Sequence, residues 1–306
     1  MSRPMAVSAL SAVAAVFIAA AITRCADDNA EAASQIVAAP LQPGAVQAVL
    51  VGAGDIADCG NNNDEATARL LDQTSGTVFT AGDNAYGAGT AQQFRDCYDP
   101  TWGRHKARTR PTPGNHDYRT SKASGYFAYF GTLAGAGYYS YDVGGWHVLS
   151  LNSSIPASPG SPQYEWLRGD LDSSLAACSA AYWHQPVFSS GDHGNTPHMQ
   201  AIWRLLYDHG VDVIINGHDH DYERFAPQDP DARPDPTKGI REFVVGTGGK
   251  SLRPFKAIRA NSEVRNSDTY GVLKLMLRTK GYEWEFVPVA GGSFRDAGTG
   301  MCSEAR

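Results

Sequence analysis

Five short clusters in this chain place side chains that could ligate a metal or move a proton just after strand-like runs. They are Gly54-Asp55, Gly82-Asp83-Asn84-Ala85-Tyr86, Gly114-Asn115-His116-Asp117, His184-Gln185-Pro186 and Gly217-His218-Asp219-His220. None is distinctive alone. A Gly-Asp pair is ordinarily a turn, a lone His is ordinarily a packed or surface residue, and His-x-His recurs by chance on strand edges. Their ordered co-occurrence is what carries meaning. Hard oxygen donors suit a trivalent or small divalent ion, imidazole suits zinc, iron or manganese, and one carboxylate can bridge two ions about 3.5 to 4 Å apart. Asp55, Asp83, Tyr86, Asn115, His184, His218 and His220 make seven donors, enough for two ions rather than one. The glycines allow a sharp turn at each strand end, so that the next side chain points into a shared cleft.

Such a cleft needs strands that deliver its members to one edge. Short β-branched runs alternate with amphipathic segments: strands over 47–51 and 77–80, helices over 64–72 and 91–98, strands over 138–143 and 146–151, and a helix over 161–171 opening with Pro162. A strand over 181–184, a helix over 197–209 and a strand over 211–215 complete an α/β rhythm. Beyond Asn216 the runs 241–245, 271–277 and 282–287 read as strands with no helix between them, which predicts a second, more antiparallel sheet. No repeat or splitting linker divides the chain, so one domain is expected over 47–306, with 227–236 as a surface loop.

A net charge of -6, from 26 basic and 32 acidic residues among 306, argues against broad binding to nucleic acid, which needs a basic surface. With 42% hydrophobic and 19% charged residues, the chain has the composition of a soluble globular protein. At the N-terminus Arg3 precedes an Ala-rich apolar run over 6–22 that ends at Arg24, Asp27 and Asp28, the layout of an export signal. Expected are a signal peptide over 1–32, cleaved near Ala32, a tether over 33–46, and a secreted or extracytoplasmic location. An uncleaved signal acting as a membrane anchor is the alternative, and Arg24 stands against lipid attachment at Cys25. Removal of Cys25 leaves four cysteines in an oxidising compartment, which predicts two disulfides. Of the three connectivities, Cys59–Cys97 with Cys178–Cys302 is favoured because Cys59 and Cys97 follow neighbouring motifs; unpaired buried thiols are the alternative.

In this order the five clusters resemble the signature of the calcineurin-like metallophosphoesterases, over about 51–220. Tyr86, three residues after Asp83, and the run His218-Asp219-His220-Asp221-Tyr222-Glu223-Arg224 are similar to the purple acid phosphatase branch. The resemblance implies an α/β fold, a four-layer α/β/β/α sandwich in a single domain. It implies a binuclear centre: Asp55, Asp83, Tyr86 and His220 on Fe3+, and Asp83, Asn115, His184 and His218 on Zn2+, Mn2+ or Fe2+, with Asp83 bridging. It implies hydrolysis of small phosphate monoesters, a metal-held hydroxide attacking phosphorus, with His116 facing the substrate. His193, nine residues after His184, resembles a second substrate-facing histidine. Ile56-Ala57 and Asp117 depart from the commoner glycine and glutamate without removing a ligand. Tyr86 stands where some relatives carry a His-orienting aspartate, so the partner that orients His116 is not legible.

Other readings compete. Gly52-Ala53-Gly54-Asp55-Ile56-Ala57 matches a dinucleotide-binding fingerprint, but 58–63 is turn-like where the helix should run. A phosphodiesterase would use the same cage, and a non-catalytic metal or phosphate module would be expected to have lost a ligand. The basic run around His105 reads as a solvated face, His147 as structural, Tyr222 to Arg224 as a brace for the histidine loop, and Trp102, Trp166, Trp183 and Trp203 as packing.

Overall fold

The computed structural model describes residues 45–303; the expected signal peptide and almost all of the expected tether lie outside the described residues. Strand Val46–Ala53 pairs in parallel with Thr77–Ala81, which pairs in parallel with Thr109–Thr112. On its other side Val46–Ala53 pairs antiparallel with Gly271–Arg278, and the sheet continues through Gly281–Pro288 to Ala297–Met301, giving six strands. A seven-stranded sheet has at its centre four parallel strands, Trp146–Ser150, Cys178–Tyr182, Val213–Asn216 and Arg241–Val245. Tyr139–Val143 flanks them antiparallel on one side and Tyr222–Phe225 on the other, where Ser262–Asn266 pairs antiparallel with Tyr222–Phe225 at the edge.

The expected separate antiparallel sheet is therefore corrected. Strand Arg241–Val245 joins the second sheet in parallel, while Gly271–Arg278 and Gly281–Pro288 cross to the first. Local sequence marks a strand but not its partner, and here the partner lies far back in the chain. Thr109–Thr112 is not among the predicted strands, because Pro111 and the basic run before it mask the pattern; Pro is tolerated there because the strand forms a sheet edge. The helix expected over 91–98 is a short helix, Ala91–Gln93, running into a π-helical turn, Phe94–Tyr98.

Alternation along the strands builds the layers. In the second sheet Val148, Ala180, Ile215 and Phe243 face the first sheet, whereas Leu149, Ala181, Ile214 and Val244 face outward onto a second cluster. Aromatic contacts bridge the sheets, with ring centres 5.9 Å apart for Trp146 and Tyr282 and 5.6 Å for Phe243 and Trp284. Helices Pro162–Ser173 and Gln200–Asp208 cover the outer face through Leu167, Leu171, Ile202 and Leu206. Helix Asn63–Asp72 lies on the first sheet and buries Ala68 and Leu71. The result is the expected α/β/β/α order.

Both expected disulfides are present, Cys59–Cys97 and Cys178–Cys302, with Cα separations of 5.3 and 5.5 Å. His147 bridges Asp142 and Asp170 at 2.8 and 2.6 Å, a structural clamp between an edge hairpin and a helix. The basic run ties down helix Asn63–Asp72: Arg104 pairs with Glu65 and Asp72, His105 with Asp72, and Arg108 with the Leu71 carbonyl.

Candidate metal centre

Each motif follows a strand of the two facing sheets, at the same edge of the sandwich. Asp55 and Gly82-Asp83 follow Val46–Ala53 and Thr77–Ala81, and Asn115-His116 follow Thr109–Thr112. His184 and His218-Asp219-His220 follow Cys178–Tyr182 and Val213–Asn216 of the second sheet. Asp55, Asp83 and His218 sit in the left-handed backbone region, with φ of 60°, 50° and 74°, a conformation L-residues adopt only where the surroundings enforce it. The enforcement is visible. A Cβ on Gly82, whose φ is +79°, would lie 2.5 Å from the His184 Cβ, and a Cβ on Gly114 would lie 2.2 Å from Asp83 Oδ1. Only glycine lets these loops close on one another.

The oxygen donors meet first. The buried Tyr86 hydroxyl lies 2.6 Å from Asp55 Oδ1, 2.9 Å from Asp83 Oδ2 and 3.2 Å from His220 Nε2. His220 Nδ1 is committed to the Ser251 carbonyl at 2.8 Å, so Nε2 is the nitrogen presented to the group. One phenol proton cannot satisfy three acceptors. Burial, reinforced by Asp55 and Asp83, pushes the Tyr86 hydroxyl well above its ordinary pKa, which marks how poorly the pocket tolerates a third anion without a cation.

The nitrogen donors meet on the other side of Asp83. His184 donates Nδ1–H to the Ala81 carbonyl at 2.8 Å, which turns Nε2 toward Asn115 Oδ1 at 3.0 Å, His218 Nδ1 at 3.2 Å and Asp83 Oδ2 at 3.3 Å. Burial opposes charge on His184, but Asp83 and Asp55 override it and push its pKa up to about 9. Burial and then His184 hold His218 well below the usual histidine range. One His184 Nε2 proton faces three acceptors, Asn115 Oδ1, His218 Nδ1 and Asp83 Oδ2, as one Tyr86 proton faces two carboxylates and His220, and a pair of cations would resolve both conflicts. The donor chemistry thus fits a binuclear centre, and all seven predicted residues come together.

His116 and His193 stand at the mouth. His116 Nδ1 lies 2.7 Å from the Gly87 carbonyl, its ring 4.3 Å from that of Tyr86, and its Nε2 3.9 Å from Asp83 Oδ2. The orienting partner that the sequence left unnamed is a backbone carbonyl, which no residue type can announce. His193 stacks on His218 with ring centres 4.2 Å apart, and its backbone N–H and Nδ1 reach Asp219 Oδ1 at 2.7 and 3.2 Å. Asp219, inside the predicted His-x-His motif, thus orients the second histidine from beneath. Buried Asp117 accepts from Asn84 Nδ2 and the Gly114 N–H, both at 2.9 Å, and fixes the Asn115 loop.

The family model "Calcineurin-like phosphoesterase" matches residues 23–222. Purple acid phosphatase 21 of Arabidopsis thaliana is 33% identical over 178 residues, covering 55% of this chain and 40% of that protein. Purple acid phosphatase 15 of the same plant is 39% identical over 97 residues, 28% of this chain and 18% of its own length, so the chain spans less than half of either relative. Among solved structures, a purple acid phosphatase from yellow lupin (Lupinus luteus) seeds superposes with a TM-score of 0.65 at 20% identity, covering 85% of this chain and 55% of the lupin chain. GAP50, described as the anchor in the inner membrane complex of Plasmodium, superposes with a TM-score of 0.66 at 15% identity, over 85% of this chain and 91% of its own. Both share the fold. With the model matched over more than half of its length, this chain belongs to the calcineurin-like phosphoesterase family.

Proposed function

We propose that this chain is an exported binuclear-metal phosphoesterase that hydrolyses small phosphate monoesters. The observation that carries the reading is the convergence on Asp83 of carboxylate, phenol, amide and imidazole donors with too few protons to satisfy one another. The fold alone does not carry it, since an anchor protein shares that fold.

Asp55, Asp83, Tyr86 and His220 would hold Fe3+, and Asp83, Asn115, His184 and His218 would hold Zn2+, Mn2+ or Fe2+. When bound, such a pair supplies Lewis acidity that activates water and offsets phosphoryl charge. The chain's own residues do the rest. The Ala81 and Ser251 carbonyls hold the Nδ1 protons of His184 and His220 and so fix the tautomers that present Nε2. Water oxygen bonds to phosphorus, the bond to the ester oxygen breaks, and the departing alkoxide needs a proton. His116, anchored by Gly87, and His193, anchored by Asp219, are the side chains at the mouth that can steady the phosphoryl oxygens or supply that proton. Export is supported by the disulfides, which suit an oxidising compartment. The N-terminus of the exported protein, read by peptide sequencing, should begin near residue 33.

The test separates holding metal from turning over substrate. His184→Ala should lose a metal ion and, with it, hydrolysis of 4-nitrophenyl phosphate. His116→Ala should keep both ions and lose roughly 10² to 10⁴ in rate. Loss of an ion from His116→Ala would mean the cage is drawn wrongly. Faster turnover of bis(4-nitrophenyl) phosphate by the wild type would move the reading to a phosphodiesterase.

A further inference from the structure

After strand Arg241–Val245 the chain crosses the mouth of the site as a segment, 246–261, with neither helix nor strand. Lys250, Arg253, Lys256 and Arg259 occupy every third position of it, and no acid lies between Glu242 and Glu263, in a chain whose net charge is -6. Backbone bonds pin the segment to the site: Lys250 N–H to the Asp55 carbonyl at 2.8 Å, Arg253 N–H to the His220 carbonyl at 3.0 Å, and Lys256 N–H to the Ser190 carbonyl at 3.0 Å. The cationic groups follow the rim in order. Lys250 Nζ is 5.0 Å from the Tyr86 ring centre, an Arg253 guanidinium nitrogen is 3.3 Å from His193 Nε2, Lys256 Nζ is 2.6 Å from Asp192, and Arg259 Nε donates to the Ser189 carbonyl at 3.1 Å.

The carboxylates paired with this row are Asp58, on Lys250, and Asp192, shared by Arg253 and Lys256. Four cations therefore face two carboxylates, an excess of two positive charges. A simple monoester needs only the cage and the two histidines. The row starts beside Tyr86 and passes His193, so an ester held at the cage by one phosphate has these cationic groups beside it. We propose that Lys250, Arg253, Lys256 and Arg259 form a subsite for further anionic groups on the substrate. The preferred substrate class is then a small ester carrying more than one phosphate. This deepens the phosphoesterase reading and rests on it.

The paired substrates fructose 6-phosphate and fructose 1,6-bisphosphate test it, with released phosphate measured on metal-loaded protein. The wild type should show a KM on the order of tenfold lower for the bisphosphate at low ionic strength, the gap closing as salt screens the row. Lys256→Gln/Arg259→Gln, at two exposed positions, should shrink that KM ratio to about threefold or less while the kcat ratio holds, because the row sorts substrates rather than reacting with them. Equal KM values in the wild type, or a ratio that the double substitution leaves untouched, overturn the proposal. Calorimetric titration of metal-loaded protein with inositol hexakisphosphate keeps the two ideas apart. If neither sugar phosphate is hydrolysed but inositol hexakisphosphate binds, and binds the double variant several-fold more weakly, the phosphoesterase reading fails and the subsite stands.

Discussion

Replacing Gly114 with Ala should damage the site out of proportion to the size of a methyl group. The new Cβ would stand 2.2 Å from Asp83 Oδ1 and 2.3 Å from the Asp83 nitrogen. Ordinary contact begins at 3.4 Å, so the carboxylate common to both halves of the cage must retreat by about 1 Å. Gly114 does not have a positive φ, so Ala is acceptable to the backbone and crowding is the whole effect. Overpacking of this kind costs about 1–3 kcal/mol of stability, which a domain of this size survives. A misplacement of about 1 Å in a reacting constellation costs roughly 10²-fold in rate. The assay is kcat/KM for 4-nitrophenyl phosphate with metal content measured on the same sample. Gly169→Ala is the control: it sits in helix Pro162–Ser173 with nothing within 4 Å of its added Cβ, and should gain about 0.5–1 kcal/mol with no change in rate. A Gly114→Ala protein that binds metal fully and works within twofold of wild type would refute the reasoning.

Tyr86→Phe should abolish a visible charge-transfer band of the iron-loaded protein; a colourless wild type, or a band that survives, removes Tyr86 from the iron. Breaking Cys178–Cys302, which closes a separation of 124 residues, should destabilise more than breaking Cys59–Cys97, which closes 38, with losses of about 5 and about 4 kcal/mol from loop entropy. Denaturant unfolding of the two Cys→Ala pairs checks the order, and its reversal counts against the entropic account. The bond to Asp170, with burial opposing and Asp142 adding, raises the His147 pKa. A raised histidine stabilises fully below its unfolded value of about 6.5 and loses that contribution as pH climbs through the folded value. The melting-temperature gap between wild type and His147→Asn should therefore narrow as pH rises above about 6.5, and a gap that widens contradicts the sign.

The cage was legible because its chemistry is local. Asp55, Asp83, His184 and His218 each follow a legible strand-like run, and glycine precedes Asp55, Asp83, Asn115 and His218, so residue type and turn propensity mark them even where the strand before Asn115 is masked. What escaped depends on distant neighbours. Gly87 orients His116 through a carbonyl that any residue would supply, and Asp219 orients His193 from 26 positions away. Beyond Asn216 the runs of Arg241–Val245, Gly271–Arg278 and Gly281–Pro288 are legible as strands, whereas Tyr222–Phe225, Ser262–Asn266 and Ala297–Met301 are not, and neither is the sheet that each joins. Gly271–Arg278 pairs with the first strand of the domain across more than two hundred residues. Pairing of that range is decided by which faces bury each other, and the aromatic rows of Tyr282, Trp284 and Phe286 that settle it need the opposing sheet to be read. The basic row over 250–259 has a visible period, yet nothing in its spacing says that it lies against Tyr86 and His193.

The most direct test of the central claim is a count of metal ions per chain, with their positions fixed by anomalous scattering from crystals of the metal-loaded protein. Two ions should flank Asp83, one beside Asp55, Tyr86 and His220, the other beside Asn115, His184 and His218. A single ion, none, or a pair seated away from Asp83 would contradict it.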